Sequence, residues 1–246
     1  MEPEFLPVLK EEEYFLFINF FGIKNKIICE LIKLYKEKFI LDNTHDFFNT
    51  GYKNAISFTS ARKYFGVPDG AYLYMPKKIK QNFERFKNIS TDHLVNRLIG
   101  NQEQSYRQFL KYEKSLTSEI KKISILSELL LSNINYLDVI KKRKHNYLFW
   151  SSVLNELNQL KLDHVNENIN PFCYPFLPAK YLDKRVLYQK HFFIPSYWPD
   201  TLNRKIKGYK YEKYLSNNLL PLPVDHRYAE KDLKRMAEFL LNILKD

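Results

Sequence analysis

The chain has 246 residues, 45% of them hydrophobic and 16% aromatic, which is enough to bury one large core or two modest ones. Its formal net charge is +11, but the lysines are spread along nearly every segment and mixed with Glu and Asp, so we do not expect nucleic acid as a partner. There is no apolar run of membrane-spanning length, no signal peptide, and no metal-ligand spacing around Cys29 or Cys173, so we expect a cytoplasmic protein with no membrane partner, metal or disulfide.

The first part of the chain predicts a parallel α/β sheet. A continuous apolar and aromatic run at 14–21 is typical of a strand buried on both faces. Apolar residues then recur at helical spacing over 27–35, and the short apolar segment 39–41 follows. This order of strand, helix and strand predicts one parallel crossover unit. Two further short strands are predicted at 55–58 and 71–74.

The rest of the chain predicts helices and a second, smaller domain. Helical patterns run from about residue 90 to residue 161. The segments 171–176 and 192–199 are rich in proline and aromatic residues, which predicts edge strands because proline cannot donate to a central ladder. An amphipathic helix is predicted at 229–244. We therefore predict an α/β fold with a small C-terminal α+β domain.

Polar residues follow two neighbouring predicted strands. The segment 42–45 begins with Asp42, and the segment 57–63 ends with Lys63, 21 residues further on. Because ligands collect at the carboxyl ends of parallel strands, we expect both segments to face one pocket. A carboxylate and an amine could then approach opposite ends of a flat ligand. Pyridoxal 5'-phosphate requires such a set: an amine for its aldehyde, an acid for its ring nitrogen, and hydroxyls for its phosphate.

Two motifs carry a specific resemblance. Residues 39–45 (FILDNTH) and 57–70 (SFTSARKYFGVPDG) resemble the fold-type I aminotransferases, most closely the DegT-like sugar aminotransferase branch. The resemblance implies that Lys63 is the catalytic residue that holds pyridoxal 5'-phosphate, that Asp42 pairs with the pyridine nitrogen, and that His45 lies near the phenolic oxygen. It also implies phosphate contacts from Ser57, slightly favoured, and from Ser60 as the second candidate.

The resemblance extends over most of the chain. Residues 143–147 are similar to the connecting helix of that family, and residues 220–228 are similar to the close of its small domain. It thus implies that residues 1–124 are the remainder of the large domain that binds pyridoxal phosphate. Residues 125–246 would form the connecting helices and the small C-terminal domain.

One part of the family pattern has no counterpart in this sequence. Members of the family ordinarily carry about a hundred residues before the first strand, including a Gly-Thr/Ser-x-Ala phosphate loop and an aromatic residue that stacks on the cofactor. We therefore predict a truncated or split form that is either inactive alone or completed by a separate N-terminal polypeptide, since missing strands would leave sheet edges exposed. The turn after Lys63 also departs from the Gly-Glu-Gly-Gly character of the family.

The resemblance implies a reaction and an assembly. Amino transfer would run from an amino acid donor to a keto acceptor, which could be a keto-sugar nucleotide, and the family usually builds its site across a homodimer. Two arginines, Arg62 and Arg227, are candidates for binding a substrate carboxylate or phosphate, because a guanidinium forms two parallel hydrogen bonds.

Each candidate residue also has a structural interpretation. An Asp followed by Asn commonly caps a helix or a turn, and His45 is equally compatible with a buried histidine that has its partners. Ser57 and Ser60 could be ordinary hydroxyls, and Arg227 stands next to Asp225, a natural ion-pair partner. For the whole chain, the alternatives are a non-catalytic remnant that binds a full-length homologue and, more weakly, a basic nucleic-acid-binding protein.

Overall fold

The computed structural model describes residues 2–162, 169–205 and 207–245. The chain divides into two compact units, each described separately below. The first unit comprises Met1–Asn19 and Lys26–Asn135, and the second comprises Phe20–Asn25 and Tyr136–Asp246. Within the described ranges, none of the helices has the length and apolar character that crossing a bilayer requires.

The first unit is built on a four-stranded mixed sheet in the order β1-β2-β3-β4. The first three strands are parallel to one another and β4 is antiparallel to β3. The predicted α/β sheet is therefore confirmed, with one antiparallel strand at its edge. The strands are β1 (Phe15–Ile18), β2 (Phe39–Asp42), β3 (Ile56–Ser60) and β4 (Ala71–Tyr74).

Helix α1 (Asn25–Tyr35) forms the crossover from β1 to β2. Its residues Ile28, Leu31 and Tyr35 recur every three or four positions, so they share one face, and all three are buried. Each fully buried side chain of this size stabilises the fold by about 1.5–3 kcal/mol. The strand residues of the same core are Phe17, Phe39 and Leu41, joined by Ala55.

The register of β2 and β3 determines which residues share a face of the sheet. Leu41 pairs with Ser57, and Asp42 pairs with Phe58. Because successive strand residues point to opposite faces, Ser57 lies on the face that α1 covers, whereas Asp42 and Ser60 lie on the other face. The two candidate serines are thus on opposite sides of the sheet.

Strand β1 differs from the sequence-based prediction. It ends at Ile18, because Phe20–Gly22 form a short 3-10 helix in which Phe21 has a left-handed backbone (φ 60°). It was predicted to be buried on both faces, and this was wrong: β1 lies at the edge of the sheet and Leu16 is 58% exposed. A continuous apolar run indicates a strand with hydrophobic side chains on both faces. The tertiary structure decides how many of those faces are covered by other elements.

Further α-helices lie in the described part of the first unit. They are α2 (Asp92–Leu98), α3 (Gln102–Ser115) and α4 (Ile125–Ser132). Helix α4 begins after Ser124, whose hydroxyl accepts a hydrogen bond from the Ser127 amide at 3.1 Å, as a helix N-cap does.

The second unit combines helices with a two-stranded antiparallel sheet, which agrees with the predicted small α+β domain. Its helices are α5 (Tyr136–Leu154), α6 (Lys184–Gln189), α7 (Asp200–Asn203), α8 (Lys210–Asn218) and α9 (Glu230–Lys245). Its strands are β5 (Cys173–Phe176) and β6 (Leu220–Pro223). The predicted C-terminal helix is confirmed by α9, and the predicted strand at 171–176 is confirmed by β5.

The strand expected at 192–199 was wrong. That segment contains no strand and leads directly into α7, while the pairing partner of β5 is β6. Pro195 and Pro199 have no amide hydrogen to donate, so they interrupt any ladder on that side. The prediction of proline-containing strands was correct for β5, but the second strand of this sheet is β6 and not the segment 192–199.

One face of α5 donates hydrogen bonds to backbone carbonyls in and around the small sheet, whose prolines have no backbone N–H to donate. Three of its buried side chains donate to backbone carbonyl groups, one of them in β6 and the other two in the segments that flank β5 and β6. Such bonds satisfy buried carbonyls that would otherwise cost free energy. The bonds run from Arg143 Nη2 to Phe172 O (2.7 Å), from Asn146 Nδ2 to Asp225 O (3.0 Å) and from Trp150 Nε1 to Pro223 O (2.9 Å).

Candidate active site

Three of the candidate residues, Asp42, Ser60 and Lys63, lie at the carboxyl ends of β2 and β3. Asp42 is the last residue of β2 and Ser60 is the last residue of β3. The short 3-10 helix Ala61–Lys63 follows β3 directly and brings Lys63 back over the strand ends. Since β2 and β3 are parallel neighbours, these ends lie at the same edge of the sheet.

Thr44 connects the carboxylate and the amine. Its backbone N–H donates to Asp42 Oδ1 at 2.9 Å, and its hydroxyl Oγ1 accepts a hydrogen bond from Lys63 Nζ at 2.8 Å. Asp42 therefore forms the turn expected from its structural interpretation. It also lies close enough to Lys63 for its charge to act on the ammonium group. The two residues are on one side of the molecule, as a shared ligand requires.

The environment of Lys63 makes its amine easier to deprotonate. Burial lowers the pKa of Lys63 below its ordinary value, because the charged form loses hydration, while the Asp42 carboxylate acts in the opposite direction. The residue as a whole is nevertheless exposed, so part of its side chain faces solvent. A partly desolvated and accessible lysine is suited to nucleophilic attack on an aldehyde.

His45 is buried beneath this site. Burial, and then the positive charge of Lys63, lower the pKa of His45 to about 3. The imidazole is therefore neutral at ordinary pH, and one of its ring nitrogens is a donor and the other an acceptor. The backbone carbonyl of His45 accepts a hydrogen bond from the Tyr64 hydroxyl at 2.7 Å, which ties this loop to the residue after Lys63.

An aromatic cluster holds the two site loops together. We use this name for Phe47 and Phe48 of the loop after β2 and Tyr64 and Phe65 of the segment after Lys63. The ring centroids of Phe47 and Phe65 are 5.2 Å apart, and those of Phe48 and Tyr64 are 5.3 Å apart. Edge-to-face pairs at such distances stabilise a fold beyond the area that they bury. The separation between the Asp42 loop and Lys63 is therefore fixed by packing.

The turn that follows Lys63 is fixed by Asp69 and Gly70. The Asp69 carboxylate accepts hydrogen bonds from the Ser124 backbone N–H at 2.7 Å, from the Ser124 hydroxyl at 2.5 Å and from the Ser127 hydroxyl at 2.5 Å. Gly70 has a φ of +125°, and a Cβ there would lie 2.8 Å from Ile123 Cδ1. Asp69 therefore anchors the turn to the start of α4, and Gly70 is required by its backbone conformation, whereas the end of the Ile123 side chain could shift to make room for a Cβ.

A pair of buried asparagines lies next to the site and was not identified from the sequence. Asn19 follows β1 and Asn43 follows β2, and the Asn19 Nδ2 group donates to Asn43 Oδ1 at 3.0 Å. The Asn43 backbone N–H donates to Phe58 O at 2.9 Å, which continues the ladder beyond β2. The available signal was their position, since each is a polar residue directly after a strand. Thr44 was missed in the same way, although it lies inside the motif.

The two candidate serines have different surroundings. Ser57 is fully buried on the α1 face, and its hydroxyl has no hydrogen-bond partner among the described residues. Ser60 is partly exposed at the end of β3, on the same face as Asp42. Only Ser60 shares the face that carries the carboxylate.

Both candidate arginines form ion pairs with carboxylates of this chain. Arg62 forms an ion pair with Glu113, and its guanidinium lies 5.8 Å from the ring centroid of Tyr112. Arg227 lies in the second unit and contacts both oxygens of Asp225, at 2.8 and 3.0 Å. The geometry of Arg227 is thus that of the structural ion pair considered from the sequence.

No protein-family model matches the sequence, and no curated protein matches it.

Solved structures, in contrast, share its fold. AtS13 from Actinomadura melliaura has a TM-score of 0.55 and 11% identity, with 92% of this chain and 65% of that chain covered. The DegT DnrJ EryC1 StrS aminotransferase from Brucella abortus has a TM-score of 0.51 and 13% identity, with 94% and 64% covered. Helicobacter pylori PseC, an aminotransferase involved in the biosynthesis of pseudoaminic acid, has a TM-score of 0.53 and 13% identity, with 97% and 68% covered.

These likenesses show an aminotransferase-like α/β fold. The chain spans about two thirds of the length of the structures that it matches. At such low identity, a shared fold leaves the activity to be argued from the site.

Proposed function

We propose that this chain binds pyridoxal 5'-phosphate at the carboxyl ends of β2 and β3 and takes part in amino transfer, with Lys63 as the residue that holds the cofactor. The observation that carries the proposal is the continuous set of hydrogen bonds from Asp42 through Thr44 to Lys63. It places an acid and an accessible amine of lowered pKa on either side of one residue.

The residues present fit the chemistry of this cofactor. When bound, the cofactor supplies an aldehyde carbon and a ring that accepts electrons. Lys63 would attach through its amine and move protons at the carbon of the amino donor. Asp42 would hold the ring nitrogen in its protonated form, since a carboxylate stabilises a neighbouring cation. The neutral and buried His45 would lie beside the ring as a hydrogen-bonding group that carries no charge.

Ser60 is the better candidate for the phosphate, whereas the sequence slightly favoured Ser57. Ser60 shares the face of Asp42, and Ser57 does not. We expect Ser60→Ala to weaken the binding of pyridoxal phosphate by about 10- to 150-fold, the effect of losing one hydrogen bond to a charged group. Ser57→Ala is the matched control and should leave binding unchanged, with stability equal or slightly higher, because its hydroxyl is buried without a partner.

These two variants are compared by fluorescence titration with pyridoxal phosphate and by urea denaturation. A loss of affinity in Ser57→Ala, with none in Ser60→Ala, would reverse the assignment.

The proposal is tested by trapping the cofactor on the protein. Purified chain is mixed with pyridoxal phosphate, reduced with borohydride and digested, and the modified lysine is identified by mass spectrometry. We expect the label on Lys63, with a visible absorbance band before reduction. The internal control is Lys184, because burial lowers its pKa to about 8 and its Nζ is held by Ser196 Oγ at 2.8 Å.

Labelling of Lys184 distinguishes a specific cofactor site at Lys63 from general reactivity of lysines with a lowered pKa. If pyridoxal phosphate only selects lysines of low pKa, Lys184 will be labelled as strongly as Lys63. Labelling spread over Lys184 and the surface lysines would contradict the proposed site. Labelling that saturates at one equivalent on Lys63 would support it.

The substrates and the assembly are also proposals. PseC and the Brucella abortus protein are described as aminotransferases, which supports an amino acid donor and a keto acceptor, with a keto-sugar nucleotide as the first acceptor to test. We propose that the active form is an assembly, either a homodimer or a complex with a second polypeptide. Exposed apolar side chains on one face of the sheet, Leu16 and Leu73, support an assembly of this kind.

A non-catalytic role remains the second candidate. It is favoured by the two candidate substrate arginines, because Arg62 is already paired with Glu113 and Arg227 with Asp225. In that case the chain would bind a full-length homologue and Lys63 would not be labelled. Analytical ultracentrifugation, combined with the trapping experiment, separates the two functions.

A further inference from the structure

We propose that Thr44 is a positioning residue, which holds the Lys63 amine beside Asp42 through its hydroxyl. This inference rests on the proposed function, because it assigns the group that places the reactive amine. Thr44 forms hydrogen bonds to both Asp42 and Lys63, and it uses a different group for each.

One of the two hydrogen bonds of Thr44 is made by its backbone and the other by its side chain. The backbone N–H of Thr44 donates to Asp42 Oδ1, and its hydroxyl oxygen accepts from Lys63 Nζ. A substitution at this position removes the hydroxyl but leaves the backbone N–H in place. The contribution of the hydroxyl to Lys63 can therefore be measured while the turn at Asp42 is preserved.

A hydroxyl suits a lysine that gains and loses a proton. It accepts a hydrogen bond from the ammonium form and can donate one to the free amine, so it remains a partner in both states. A carboxylate accepts only, and it would favour the charged form. Thr44 thus remains a hydrogen-bond partner of the amine in both states, although its bond to the charged form is the stronger one.

The side chain and its loop are both restrained. Threonine is branched at Cβ and has few χ1 rotamers, so its hydroxyl has a defined direction. The loop that carries Thr44 is held by the aromatic cluster and by the hydrogen bond from Tyr64 to the His45 carbonyl. The acceptor for the Lys63 amine is therefore set by the fold before any ligand binds.

The test measures the pKa of Lys63 in the ligand-free protein. The rate of reductive methylation of each lysine is followed by mass spectrometry over a range of pH, in the wild type, Thr44→Val and Thr44→Ser. The titratable groups near Lys63 are Asp42, which raises its pKa, and His45, which stays neutral across this range. Lys184 serves as the remote control in every sample.

We expect Thr44→Val to lower the pKa of Lys63 by roughly half a unit to one unit, because the bond to the charged form is the stronger one and is lost. Thr44→Ser retains the hydroxyl and should leave that pKa at the wild-type value. The pKa of Lys184 should not move in either variant. Equal pKa values of Lys63 in wild type and Thr44→Val would overturn the inference.

Failure of this inference can be told apart from failure of the proposed function. The methylation experiment uses no cofactor, so it reports on Thr44 and Lys63 alone. Absence of trapping on wild-type Lys63 would overturn the function whatever Thr44 does. Trapping on Lys63 together with an unmoved pKa in Thr44→Val would overturn the role of Thr44 alone.

Discussion

Replacing Lys63 with arginine should abolish amino transfer while the chain remains folded. A guanidinium stays protonated at all accessible pH values, so it can neither attack an aldehyde nor accept a proton from the donor. Loss of a general acid–base group of this kind costs about 10²- to 10⁴-fold in rate. The measurement is the conversion of pyridoxal phosphate to its amine form in the presence of glutamate, followed by chromatography.

The control for this variant is Lys184→Arg, which removes the other lysine of lowered pKa. It should convert the cofactor at the wild-type rate. If Lys63→Arg retained more than about a tenth of that rate, Lys63 would not be the catalytic base. Circular dichroism of both variants verifies that the fold is intact, which we expect because Lys63 is an exposed residue.

Replacing Trp150 with alanine should destabilise the second unit by about 3–5 kcal/mol. Trp150 is 0% exposed, and it fills the centre of the core around α5, β5 and β6. The substitution leaves a large cavity and also removes the donor to the Pro223 carbonyl. The free energy of unfolding is measured by urea denaturation, with circular dichroism as the signal because the variant alters the tryptophan fluorescence.

Leu148→Ala is the matched control, since Leu148 is on the same helix and is 52% exposed. We expect its cost to stay within about 0.5 kcal/mol. A Trp150→Ala variant as stable as Leu148→Ala would show that α5 does not form the core of this unit.

The local part of the site was predictable from the sequence. Asp42 and Lys63 follow apolar strand segments, and both lie where the polar motifs placed them, at the ends of parallel neighbours. The helical spacing over 27–35 and 229–244 led directly to α1 and α9. These features depend on residues near one another in sequence, so the pattern contains the information that fixes them.

Features that depend on pairing between distant segments were not predictable. The preference for Ser60 over Ser57 follows from the β2–β3 register, and a shift by one residue would exchange their faces. The contact of Thr44 with Lys63 depends on two loops packed by the aromatic cluster. The strand expected at 192–199 failed because the segment that pairs with β5 is chosen by the tertiary fold.

The antiparallel β3–β4 pair has a consequence for the order in which this sheet folds. β3 and β4 pair across a short connection, whereas the parallel pairs require a longer segment of chain between the two strands. Short-range pairs close at a smaller cost in chain entropy and so form faster. Pairing of β3 with β4 alone therefore leaves the connection that carries Lys63 without its anchor, which forms only when Ser124 and Ser127 reach Asp69, and Asp42 joins it when the parallel register closes.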